Sequence, residues 1–169
     1  MKNLLAIIVS LLALSNLALA DSIVLESTIT TAEAAYADHD VIGTVKTISG
    51  AFDGTSRKGE IVSISVFDKV SQSSALTLHF FDASPTVASA DNAALNITDA
   101  EMADKHICKI EIPAANYQVL SASTVASLND INCIVSSKLT DDLYMVVESA
   151  GTPDYTAGTD LVIKIGLRR

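Results

Sequence analysis

Three histidines, two cysteines and several closely spaced carboxylates are the residues of this chain that could do chemistry. Asp38-His39-Asp40 is the densest group, and as a metal site it would need further ligands from distant loops. Consecutive residues on a strand point to opposite faces, so the three cannot easily converge on one ion. A solvated turn ahead of a strand beginning at Val41 is the better reading. Asp53-Gly54 and Asp141-Asp142 read as turns too, and neither has the spacing of an Asp-rich calcium loop. His79 lies between apolar neighbours on the outward face of a strand. It could act as a general base, but no Ser or Cys sits beside it in a recognisable nucleophile elbow. The serine-rich stretches Ser71–Ser74 and Ser121–Ser127 read as loops and strand edges. A catalytic triad assembles in space rather than in sequence, so a secreted hydrolase stays open as a distant third reading.

Cys108 and Cys133 sit in apolar, strand-like contexts. They can form a disulfide or act as two small buried hydrophobes. With three scattered histidines they lack zinc-site spacing, so no metal and no cofactor is expected. Asn96-Ile97-Thr98 is a glycosylation sequon, relevant only in a host with that machinery. Sugar-binding sandwiches usually present aromatic platforms. This chain has no Trp, four Tyr and four Phe. Phe67, Phe80 and Phe81 fall within strands, where core packing is expected. Tyr36, Tyr117 and Tyr155 fall in loop-like contexts and leave a small sugar site open.

The elements that must position these residues are strands. Period-two alternation places Val62, Ile64 and Val66 on one face and Ser63 and Ser65 on the other. Leu76, Leu78 and Phe80 oppose Thr77, His79 and Phe81. Leu161, Ile163, Ile165 and Leu167 alternate with Val162, Lys164 and Arg168. Ile23–Thr30, Val41–Ile48, His106–Ile112, Ile131–Ser136 and Leu143–Ser149 complete about eight strands. They are separated by turn-rich segments such as Asp53-Gly54 and Gly151-Thr152-Pro153, as in an antiparallel sandwich or barrel. Asp91–Lys105 breaks the pattern. Thr98-Asp99-Ala100-Glu101 has capping-box spacing and predicts a short surface helix near 98–104, across the end of a sandwich. No repeat or linker divides the chain, and the missing alternation of helices argues against an α/β enzyme fold.

The first twenty residues have the layout of a secretory signal peptide: Lys2, an apolar run from Leu4 to Leu14, and Ala18-Leu19-Ala20 ahead of a predicted cut between Ala20 and Asp21. The run is short for a membrane span, so a membrane is met only through an uncleaved leader. Residues 21–169 then form one domain, large enough to fold without staples. The whole chain carries a formal charge of −9, and losing Lys2 makes it more acidic still. That balance argues against nucleic acid as a partner.

Longer stretches bear a family resemblance. Ile64 to Pro85, Asp91 to Ala100, Ile110 to Tyr117 and Gly151 to Gly166 resemble, in order and spacing, segments of tailed-phage virion structural proteins. The likeness runs from about Ile29 to Leu167. It implies a jelly-roll-like β-sandwich that coats or decorates a capsid, partners with capsid or other assembly proteins, self-associates, and has no enzyme activity. Localisation in the virion follows from the resemblance. The leader suggests instead an exported periplasmic or cell-surface binding module for glycans or a surface partner. A third possibility keeps Met1–Ala20 as a hydrophobic arm that packs against neighbours in an assembly.

Overall fold

The alternating segments form nine strands in a computed structural model that describes residues 21–54 and 56–169. The expected leader, up to Ala20, lies outside the described residues. In chain order the strands are β1 (Ser22–Ile29), β2 (Val41–Ile48), β3 (Lys58–Asp68), β4 (Leu76–Phe81), β5 (His106–Ile112), β6 (Tyr117–Val119), β7 (Thr124–Ser136), β8 (Leu143–Ser149) and β9 (Leu161–Arg168). One helix, α1 (Asp99–Lys105), precedes β5, and a 3₁₀ turn (Ala114–Asn116) precedes β6.

Two sheets result, one ordered β1-β9-β3-β7-β6 and the other β2-β8-β4-β5. Every pairing is antiparallel: β1 with β9, β2 with β8, β3 with β7, β4 with β5. Those are the pairings of one long hairpin with β4 and β5 at its head. Contacts of β9 with β3 and of β8 with β4 roll the hairpin up. A hairpin rolled in this way is a jelly roll, an all-β sandwich of two packed sheets. β6 is an extra edge strand added to β7.

Side-chain alternation fills the space between the sheets. Leu161, Ile163, Ile165 and Leu167 of β9 meet Leu76, Leu78 and Phe80 of β4 and Leu143, Met145 and Val147 of β8 in one buried cluster. Each such side chain contributes about 1.5–3 kcal/mol by leaving water. One face assignment changes. Both ladders of β3 shift register between Ile61 and Ser63. Ile61 takes the core position with no exposure, while Val62 stays half-buried. A bulge inserts one residue, so strict alternation fails by one position there. Part of the serine-rich stretch Ser121–Ser127 is also strand: β7 starts at Thr124 and buries Thr124 and Ala126.

The two open sides of the sandwich are closed differently. β1 lies against β2 on one side, and β5 against β7 on the other. At the second side Cys108 of β5 is joined to Cys133 of β7, with Cα atoms 6.5 Å apart.

The outward faces also differ. Residues between β4 and β5 fold back over the four-stranded sheet as a cover. Val41, Phe81 and Val146 point outward from that sheet and are buried beneath Val87, Leu95, Ile97 and Met102. The cover is stitched to the start of β2: Val41 N–H donates to Ala93 O (2.9 Å), and Leu95 N–H to His39 O (2.8 Å). Asp91 accepts from Tyr36 Oη (2.8 Å) and from Gly43 N–H (2.7 Å). Gly43 is required there. It has φ +78° in the irregular part of β2, and a Cβ would stand 2.7 Å from Thr30 O. The helix therefore belongs to this cover rather than to the end of the sandwich. Thr98 caps it by accepting from Glu101 N–H at 3.3 Å. Glu101 does not complete the box, because it accepts instead from Thr86 N–H (2.9 Å) and Lys105 Nζ (2.7 Å).

Candidate functional site

The rolled topology brings all three histidines to one margin of the cover. Glu148 of β8 is directly opposite Thr77 of β4, which puts His79, two residues further on, on the same face and diagonal to it. His79 Nε2 donates to Glu148 Oε2 at 2.8 Å. His39 Nδ1 donates to Glu148 Oε1, also at 2.8 Å. His106, at the start of β5, stacks obliquely on His79 with ring centroids 5.6 Å apart. The open groove beside the cover, about 400 Å³, is lined by His39, Thr77, His79, Lys109, Glu111 and Glu148.

Burial divides the roles. The His39 side chain is 72% exposed, whereas His79 is 11% and Glu148 14% exposed. His39 holds φ +69°, a left-handed conformation that His, Asn and Asp tolerate better than most residues. Its Nδ1 bond to Glu148 and nearby Asp38 push its pKa above 6.5. His106 moves the other way: burial first, then His79 and Lys109, hold it below 6.5. His79 Nδ1 and His106 Nε2 are both buried without a hydrogen-bond partner.

Two imidazoles on one carboxylate resemble the base half of a hydrolytic site. Here the carboxylate takes both rings, and no Ser or Thr hydroxyl hydrogen-bonds to either His39 or His79 among the described residues. Among the described residues no group of three or more His, Cys, Asp or Glu is arranged to hold a metal ion. Within the cluster, the protonation equilibria of His39 and His106 are displaced in opposite directions.

Its pH signature follows from the two shifts. Raised in the fold, His39 contributes stability that is full below pH 6.5 and lost as pH rises through its folded value. His106 is depressed, so its contribution is full above 6.5 and lost as pH falls. Stability should therefore peak near pH 6.5. In His39→Asn, which suits the backbone, the fall on the alkaline side of the peak should vanish while the fall on the acid side remains. Chemical denaturation between pH 5 and 8 checks this; an unchanged profile would show that His39 is not coupled to Glu148.

The other expected groups go elsewhere. Asp38-His39-Asp40 does form a turn: Asp40 N–H donates to Ala37 O, and Asp40 Oδ2 accepts from Ala37 N–H at 2.8 Å. Asp68, 1% exposed, is taken up by the serine loop, accepting from Val70 and Ser73 N–H at 3.0 and 2.8 Å. Asn96 is exposed on the cover. Tyr36 and Tyr155 are core residues, 2% and 1% exposed, packed edge to face at 5.9 Å. Tyr117 packs against the same core. Burial raises the phenol pKa of all three. The expected loop tyrosines therefore offer no platform for a sugar ring. Phe80 and Phe81 are buried on opposite faces of β4, whereas Phe67 is only half-buried, on the outside of β3.

Phe67 leads to a second feature that sequence reasoning missed. Thr28, Val162, Phe67 and Val125 stand in register across β1, β9, β3 and β7, forming an outward row on the five-stranded sheet. The row floors a shallow depression of about 510 Å³ edged by Glu26, Lys69 and Lys164. Further along the same face Val24 and Ile134 are 68% and 76% exposed. No described segment lies over this sheet as the cover lies over the other. The signal was present in sequence as apolar residues on the polar beat of four strands, β1, β3, β7 and β9.

Fold and surface together define a jelly-roll domain with one covered and one bare sheet. No protein-family model and no curated protein matches the chain. Among solved structures, a chain described as Desmodium yellow mottle tymovirus aligns over 89% of this chain and 87% of its own, with a TM-score of 0.29 and 14% sequence identity.

Proposed function

We propose that this protein is a non-enzymatic structural subunit that works by burying its bare sheet in a larger assembly. The finer reading is a virion protein that coats or decorates a capsid shell. One observation carries the proposal: the described residues cover the apolar outward side chains of one sheet and leave those of the other open. Contiguous apolar surface of that kind marks an interaction site. The likeness of Ile29–Leu167 to tailed-phage virion proteins supports the finer reading. The jelly roll is compatible with it, as it is with lectins and cupins, so fold adds no weight by itself.

Phe67→Glu should test it. The side chain is half-buried and outward, so the fold should survive, while a charge in the apolar row should block docking. Incorporation into particles, followed by sedimentation and electron microscopy, is expected to fall at least tenfold, about 1.4 kcal/mol. Normal incorporation of a folded variant would sink the proposal.

The Cys108–Cys133 bond favours a second reading, an exported module, because such bonds persist in oxidising compartments. A mature N-terminus at Asp21 in the native protein, read by mass spectrometry, would favour it.

A further inference from the structure

A docking face needs a partner of matching chemistry, and charge on this molecule is unevenly spread. The chain has 20 acidic and 11 basic residues. On the bare face the balance reverses. Lys58, Lys69, Lys164 and Arg168 stand there against Glu26 and Glu60, with Asp130 at the margin in the β7 bulge. Both glutamates are neutralised within the face: Lys164 Nζ lies 3.1 Å from Glu26, and Arg168 Nη1 lies 2.9 Å from Glu60. Lys58 and Lys69 have no carboxylate partner among the described residues; Lys69 donates to Thr159 O at 2.7 Å.

The covered side is the opposite. Three lysines there are already engaged, Lys105 by Glu101, Lys109 by Glu111 and Lys138 by Asp104, and only Lys46, on the edge strand β2, has no carboxylate partner among the described residues. Asp38 and Asp99 remain exposed there with no Lys or Arg partner. Two bare faces stacked on each other would set lysine against lysine. A bare face stacked on a covered side sets lysine against aspartate.

From this we infer that the partner of the bare face is the acidic, covered side of a second copy, in a head-to-tail contact. This rests on the assembly reading and specifies its interface. Such a contact is heterologous: each copy uses two different surfaces, so copies add in series to give a ring or a filament. The apolar row supplies the burial, and the lysine–aspartate match sets polarity and partner choice.

Sedimentation of the purified full chain tests the contact. Association should rise with concentration at low salt and weaken about tenfold at high salt, where surface charges are screened. Lys58→Glu/Lys69→Glu blocks one surface and Asp38→Lys/Asp99→Lys the other. Each variant alone should be monomeric. Mixed, they should associate again, because the two intact surfaces meet as in the wild type and the two reversed surfaces set glutamate against lysine, which also match. Circular dichroism establishes that both are folded; if one is not, salt dependence together with chain-capping of the wild type by the other decides. Dimers from either variant alone, or no capture on mixing, would overturn the inference. So would a monomeric wild type that is nevertheless found in native particles, a result that leaves the assembly reading intact. A monomer found in no particle would overturn both.

Discussion

Phe81→Ala is expected to cost about 3–5 kcal/mol, the range for truncating a fully buried aromatic side chain. Phe81 has no exposed surface, although it points away from the main core. Its neighbours are Val41 and Val146 on the same sheet, with cover residues Val87, Leu95, Ile97 and Met102 above, and His106 meets its ring edge-on at 5.3 Å. An outward strand residue that loses its lid is re-exposed to water. The cost here should therefore come from detaching the cover as well as from the cavity. Denaturant titration measures the total. Hydrogen exchange locates it: amides on the seam between the cover and β2, such as Leu95 N–H and Val41 N–H, should lose protection before those of β3 and β9. A loss under 1 kcal/mol would mean that the cover is not an integral layer. A domain of this size has roughly 5–15 kcal/mol in total, so the expected loss takes much of the margin.

How much of this was legible in the sequence depends on what each feature required. β4 and β9 carry a large apolar residue at every second position, so their strands and inward faces are plain. β6 is only the three residues Tyr117-Gln118-Val119, and the first half of β7 is mostly Thr, Val, Ala and Ser, so neither alternates strongly enough to separate from a loop. The bulge at Ile61–Ser63 is set by two ladders at once, and local pattern placed Val62 where Ile61 belongs. Tyr36 and Tyr155 do lie outside strands. Their side chains turn inward to fill the core, a placement that neighbouring residues do not encode.

The histidine cluster was hidden for a further reason. His39, His79 and His106 are far apart in sequence, and the pairings of β2 with β8, β4 with β8 and β4 with β5 are needed to gather them round Glu148. The bare face could have been anticipated. Val24, Phe67, Val125 and Val162 break the polar beat of their strands, which either demands a cover, as with Phe81, or invites a partner.

The Cys108→Ala/Cys133→Ala variant should lose about 3.5 kcal/mol of stability, the loop-closure value for a bond spanning 25 residues. Position gives the bond its effect. β5 is the edge strand of its sheet, paired on one side to β4, and the bond fastens its start to β7 of the other sheet. Without it the open side of the sandwich is held by side-chain contacts alone, and His106 and Lys109, which flank Cys108, lose their anchor. Local opening should therefore appear first in β5, with the His79–His106 contact weakened. The control is chemical. Reductant should lower the stability of the native protein by a similar amount and leave the double-alanine variant unchanged. If reductant does nothing to the native protein, the two cysteines are free thiols in its cell. The bond would then cease to favour an oxidising compartment, and the balance between the two readings would shift toward a particle assembled in the cytoplasm.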